Sequence, residues 1–237
     1  MRGEKAQFGY GEISAASIKH LVCHLSKLES TQAISQGIPD PLSYNITKDS
    51  SFLDIGSGLG KAVMHVAFET QCRAHGIEVL QHRVRCSEKF KERLIEEEDA
   101  PTEWKERVTF EQVNAANLDC YTVDGDHATH IFAFSVVFSE HDLRAMCEAL
   151  NRTKFKALTF NCDADKAEKY GLRDVIQVAS FFSHMGGHGT FKSYVYLKVY
   201  TIPMPTCETS LLRCLEEGSD ASEQDMEDTV ESRDPLW

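Results

Sequence analysis

Apolar side chains along this 237-residue chain recur with two different periods. Near the start, Ile18, Leu21, Val22, Leu25 and Leu28 follow the i, i+3, i+4, i+7 spacing of a helix with one buried face, and Ser14 stands where an N-cap belongs. Gly37, Pro39 and Pro41 interrupt that period, so an N-terminal element closes near residue 47. Beyond it, short β-like runs alternate with helix-like ones. The pattern predicts strands over 51–55, 74–79, 108–113, 131–137 and 157–161, and helices over 61–69 and 80–98. A further helix carries Leu143, Met146 and Leu150. The run 131–137 is almost wholly apolar, as in a central strand covered on both faces. Two longer β runs, 174–182 and 190–200, flank Gly186-Gly187-His188-Gly189, a loop short enough to fold them back on each other. Alternating strands and helices imply an α/β fold. Its sheet is mostly parallel and seven-stranded, with helices on both faces and a terminal antiparallel hairpin at its edge.

The sharpest local signal is Phe52-Leu53-Asp54-Ile55-Gly56-Ser57-Gly58-Leu59-Gly60-Lys61, where a strand ends, the chain turns tightly and a helix begins. Glycines permit such a turn and let a ligand approach the backbone, and the helix start offers free N–H groups. The spacing is GxGxG, with Lys61 where a dinucleotide GxGxxG would place its last glycine, and no GxxxxGK[ST] is present. Asp54 precedes the glycines, where a carboxylate suits an ammonium better than a pyrophosphate. Glu78 ends the next strand, 18 residues past Gly60, and an acid there can accept from both hydroxyls of a ribose. A nucleoside with an amino group and no pyrophosphate points to S-adenosylmethionine. The alternative is an ordinary βαβ turn with a surface glutamate.

Charge changes the picture in one place. The net −12 argues against a generally basic, DNA-coating chain. Residues 208–237 hold ten acids against Arg213 and Arg233, which is −8 and leaves −4 for the rest. That stretch is too poor in large apolar residues to offset its ordering entropy, so 204–237 reads as a disordered acidic tail. It follows an N-terminal loop and helix (1–47) and a core (48–203). No apolar run approaches the roughly 18–20 residues of a membrane span, and Met1-Arg2-Gly3-Glu4-Lys5 lacks the apolar stretch of a secretory signal. Eight cysteines without a CxxC pair suggest a reducing compartment and give no zinc ribbon. His184 and His188 lack apparent partner ligands and read as turn histidines, so no metal site is predicted. Arg83, Arg85, Lys89, Lys91 and Arg93 are interleaved with acids and read as a solvated helix face able at most to touch phosphate.

On these residues the chain resembles Rossmann-like class I methyltransferases, and among them histone-lysine methyltransferases of the disruptor-of-telomeric-silencing type. Four segments carry the likeness. Tyr10-Gly11-Glu12-Ile13-Ser14 is similar to that family's loop ahead of the Rossmann core, and Asp54-Ile55-Gly56-Ser57-Gly58-Leu59-Gly60-Lys61 to its DLGSGxG run. Gly76-Ile77-Glu78 resembles its ribose-binding strand end, and residues 128–139 its fourth-strand segment, which ends in a phenylalanine, here Phe138. The resemblance spans roughly residues 8–200. It implies that residues 1–47 cover the cofactor site. It implies cofactor contacts from Tyr10, Gly11, Glu12, Ser14, Asp54, Gly56, Ser57, Gly58, Gly60, Lys61, Glu78, Val79, Asn114 and Ala115. Two positions depart from the family: Phe134 stands where it has an asparagine, and Val113-Asn114 where it has Gly-Asp.

The activity so implied is methyl transfer from S-adenosylmethionine to a histone lysine on the nucleosome core surface, in the nucleus or otherwise the cytoplasm. The substrate would be a histone or nucleosome, with weak contact to nucleosomal DNA and no membrane. Such a displacement depends on positioning, and an apolar channel favours the neutral amine by penalising its charged form. Tyr10, Glu12, Phe134, Ser135 and Phe138 are the catalytic candidates, with Ser135 able to take a polar role beside Phe134. Plain core packing is the alternative for the two phenylalanines, and a capped helix entry for Tyr10-Gly11-Glu12. A cofactor-binding interaction module of low activity, or a methyltransferase of a non-histone protein or small amine, stays open.

Overall fold

The computed structural model describes residues 13–28, 41–97, 103–185 and 189–200, all within one unit, Met1–Tyr200. The acidic stretch and Tyr10-Gly11-Glu12 lie outside the described residues. Seven strands form one sheet: β1 (Ser51–Ile55), β2 (Arg73–Glu78), β3 (Val108–Gln112), β6 (His130–Ala133), β7 (Ala157–Phe160), β8 (Val175–Met185) and β9 (Gly189–Lys198). Their order is β3-β2-β1-β6-β7-β9-β8. The first five are parallel, whereas β9 runs antiparallel to both β7 and β8. The predicted sheet is therefore present, with one change: the hairpin supplies an inner strand, β9, as well as the edge strand β8.

Each face of the sheet carries its own core. On one face α1 (Ala15–Ser26) and α2 (Lys61–Thr70) bury Ile18, Leu21 and Leu25, and Val63 and Val66, over Phe52, Phe132 and Val195. On the other, α5 (Glu140–Arg152) buries Leu143, Met146 and Leu150 over Leu53, Ile131 and Leu158. Alternate residues of β1 thus feed opposite cores, which is why every one of its five residues is buried. The long charged helix α3 (Gln81–Glu97) and the short α4 (Trp104–Arg107) lead to β3.

Ser14 caps α1 as predicted, its hydroxyl accepting from Ser17 N–H at 3.3 Å. The segment ahead of that helix is fastened to the hairpin. Ser14 N–H donates to the His184 carbonyl at 2.8 Å, Ser17 Oγ accepts from His184 N–H at 2.8 Å, and Ile13 pairs with Met185.

The predicted strand 131–137 stops at Ala133. A single 3-10 turn, Ser135–Val137, takes over because Ser135 and Asn161 replace the ladder with a side-chain exchange. Ser135 N–H donates to Asn161 Oδ1 at 3.0 Å and Asn161 N–H to Ser135 Oγ at 3.3 Å. Small elements that were not predicted are the helix α4, the hairpin of β4 (Thr122–Val123) and β5 (Asp126–His127), and the helix α6 (Ala164–Lys169) capped by Asp163. No helix among the described residues is long and apolar enough to cross a membrane.

His130 lies fully buried in β6, its Nε2–H donating to the Tyr44 carbonyl at 2.8 Å. Burial pushes its imidazole down to about 4. The unfolded chain takes up this proton near pH 6.5 and the folded chain only near 4, so stability drains away as pH falls through that window. Urea midpoints should accordingly fall less steeply from pH 6.5 to 4 in His130→Gln, which keeps an N–H donor, than in the parent. Parallel slopes would refute the assignment.

Candidate cofactor and active site

The glycine turn between β1 and α2 is tight because its three glycines all take positive φ: +78° at Gly56, +57° at Gly58 and +77° at Gly60. It is tied to the neighbouring strand by backbone bonds. Gly56 N–H and Ser57 N–H both donate to the Ile77 carbonyl, at 2.9 and 3.0 Å. Gly76 makes room for this, since a Cβ there would stand 2.7 Å from Ser57 Oγ. The next peptide is held from both sides. Gly58 N–H donates to Glu78 Oε2 at 3.1 Å, and the Gly58 carbonyl accepts from the buried Ser87 hydroxyl at 3.2 Å.

A cavity of about 340 Å³ opens over this turn. Asp54, Gly56, Ser57, Gly58 and Lys61 line one side of it. Glu78, Val79, Asn114 and Ala115 come from the ends of β2 and β3, and Phe134 and Phe138 from the end of β6. Eleven of the residues singled out in the sequence therefore converge on one cavity. Three described ones do not line it. Gly60 stands behind the turn, where a Cβ would lie 2.4 Å from Phe110 Cζ, so close helix–strand packing is what requires its glycine. Ser14 caps α1, while its neighbour Ile13 reaches the cavity. Ser135 is engaged with Asn161.

Two carboxyl groups give the cavity its character. Glu78 is only 4% exposed and accepts from Gly58 N–H through Oε2 and from Leu80 N–H through Oε1, at 3.0 Å. Each of its oxygens keeps a further lone pair for a ligand hydroxyl. Asp54, at the end of β1, is also 4% exposed. Burial, and then the charge of Glu78, lift its carboxyl from the usual carboxylate range to about 8. At neutral pH Asp54 thus keeps its proton.

Around these acids the walls are mostly apolar. Val79, Val113, Ala115 and Ala116 form a slot beside Glu78 suited to a flat base. Asn114 begins the following turn, its Oδ1 accepting from Ala116 N–H at 3.0 Å, which leaves its amide N–H groups as donors. At the other end the Phe134 ring packs edge-on to Phe191, with centroids 5.7 Å apart. Phe138 sits under Gly56, so close that a Cβ there would be 3.0 Å from its Cζ. Among the described residues no group of three or more His, Cys, Asp or Glu could hold a metal ion. His184 belongs to β8 and lies 2.9 Å from Thr190 Oγ1 through Nδ1; His188 is outside the described residues. An adenosine bearing an amino acid fits this donor set: hydroxyls for Glu78, an ammonium for Asp54 and a base for the apolar slot.

Sequence reasoning missed Arg83, Val137, Asp142 and Met146, all of which line the cavity. Arg83 had been placed on a solvated face, yet its side chain is 16% exposed and its Nη1 lies 3.7 Å from Glu78 Oε2. The signal available was its place in the first turn of the helix that follows Glu78.

The raised Asp54 has a measurable sign. Between its ordinary value near 3.8 and about 8, the unfolded chain is ionised while the folded chain keeps its proton, so stability declines with rising pH across that window. Without ligand, Asp54→Asn should gain in melting temperature over the parent from pH 5 to 8.5, the gap levelling off above about 8. An offset independent of pH would refute the burial assigned to this carboxyl.

Comparison with known proteins agrees with this geometry. Residues 41–117 match the family model described as histone methylation protein DOT1, a segment that contains the glycine turn, Glu78 and Asn114. No curated protein matches the chain. Among solved structures, magnesium protoporphyrin IX methyltransferase from Synechocystis PCC 6803 with bound SAH is similar at 10% identity and a TM-score of 0.54, over 81% of this chain and 90% of that one. A putative RNA methyltransferase from Pyrococcus horikoshii is similar at 11% identity and a TM-score of 0.50, over 84% and 93%. The fold is that of the class I S-adenosylmethionine-dependent methyltransferases, and residues 41–117 match the DOT1 family model.

Proposed function

We propose that this chain transfers a methyl group from S-adenosylmethionine to a histone lysine side chain on the nucleosome core surface, within the nucleus. The observation that carries the cofactor half is the convergence of Asp54, the glycine turn, Glu78 and the apolar slot on one cavity. The match of residues 41–117 to a histone methylation family supports the acceptor half. When bound, the cofactor supplies a methyl group on a sulfonium. Glu78 would hold the ribose, and Asp54, releasing its proton to solvent as the ligand binds, would pair as a carboxylate with the ligand's ammonium group. Phe134, Val137 and Phe138 surround the opening with hydrocarbon, which excludes water and favours an amine in its neutral, nucleophilic form. In-line displacement at a methyl group needs positioning more than a strong base.

One observation favours a second reading. Where the resembling family has an asparagine, this chain places the Phe134 ring at the cavity and against Phe191. A phenyl edge offers an acceptor no hydrogen bond, which suits a different protein, a small amine, or a binding role with little turnover. Incubation with tritiated S-adenosylmethionine separates these readings when nucleosomes, free histones and a small-amine panel are compared. Label is expected on nucleosomal histone. Label on amines alone would overturn the histone reading, and none on any acceptor, with cofactor binding intact, would indicate the interaction module.

A further inference from the structure

We infer that Arg83 is a specificity residue of the cofactor site, reading the oxygen of the same ribose hydroxyl whose proton Glu78 Oε2 accepts. This rests on the S-adenosylmethionine reading above and assigns one contact within it. The two groups face one cavity from successive turns of chain, Glu78 at the end of β2 and Arg83 in the first turn of α3. Their separation matters. At 3.7 Å, Arg83 Nη1 is too far from Oε2 for a hydrogen bond but close enough for strong attraction. Oε2 already accepts from Gly58 N–H, and Oε1 from Leu80 N–H.

A hydroxyl is both donor and acceptor. Placed between these groups, it can give its hydrogen to Oε2 and take one from the guanidinium, so that neither charge loses a partner. A ligand without that hydroxyl leaves a carboxylate that is 4% exposed and an arginine that is 16% exposed with one fewer bond each. Selection against a missing hydroxyl grows when more of the site's buried polar groups lose a bond with it. Arg83 therefore makes rejection of one deoxyribose sharper than Glu78 alone would.

The inference is tested by calorimetry on the full chain and its Arg83→Met and Arg83→Lys variants, using S-adenosylhomocysteine and its 2′-deoxy and 3′-deoxy forms. The parent should lose about 10- to 100-fold in affinity for the form lacking the shared hydroxyl. In Arg83→Met that penalty should shrink to a few-fold, while the penalty for the other deoxy form stays as in the parent. Arg83→Lys keeps the charge but not the planar fork, so it should bind the parent ligand well and still show a reduced penalty. It also serves if the methionine variant does not fold. Unchanged penalties in the folded variants would mean that Arg83 only supports Glu78 electrostatically, which overturns the inference. Failure of the parent itself to bind S-adenosylhomocysteine would instead overturn the cofactor reading.

Discussion

Two consecutive residues at the end of β2 hold the whole site together. The Ile77 carbonyl accepts both opening N–H groups of the glycine turn, and the Glu78 carboxylate accepts the next free one, from Gly58. Glu78 also receives Leu80 N–H on its other oxygen and Val113 N–H on its backbone carbonyl. The turn after β1, the entry to α3 and the exit from β3 are thereby referred to one point. A parallel sheet can do this because its strands end in register on the same side, and crossovers return to neighbouring strands. Glu78 acts as a fastener of the frame before it meets any ligand, so substituting its side chain would loosen the glycine turn and the entry to α3 together.

Much of this was legible in the sequence, for identifiable reasons. The parallel core followed from apolar runs of strand length separated by amphipathic helices, and the glycine turn from a motif whose mechanics are local. Ser14 as a cap was readable because capping is decided within a few residues. The end of β6 was not, because Phe134-Ser135-Val136-Val137 is as apolar and β-branched as a strand. What stops it is Asn161, 26 positions away, whose side chain bonds Ser135 N–H. The β4–β5 hairpin was missed although its signal was local: Asp124 and Gly125 take φ of 54° and 88°, the conformation for which Asp-Gly is favoured in two-residue turns. Gly60 shows the opposite error, a motif glycine whose close contact is with Phe110 rather than with the cavity. Arg83 escaped because a helix rich in both signs of charge looks solvated throughout, although its first turn is pinned beside Glu78.

The opening of the cavity is where the fold and the chemistry diverge most. Phe134 belongs by packing to the core beneath α1 and α2 and by position to the cavity. Its partner Phe191 comes from β9, so the last strand of the sheet helps to shape that end of the cavity. Asn161 joins the same region, its Nδ2 donating to the Lys192 carbonyl and to Ser193 Oγ at 3.1 Å each. An aromatic pair backed by an amide clamp is stiff, and stiffness suits a reaction whose rate depends on holding two atoms in line.

The fastening of the segment at Ile13 to the hairpin bears on the order in which the molecule is made. Ser17 and His184, joined through a single hydrogen bond, are 167 positions apart. A ribosome releases the first of them long before the second exists, so Ile13 acquires its strand partner only once β8 has been synthesised. The wall that Ile13 gives the cavity is thus among the last pieces set in place, although it is encoded near the beginning. A nascent chain can assemble its glycine turn early and still have no finished pocket until nearly all of the sheet has been translated.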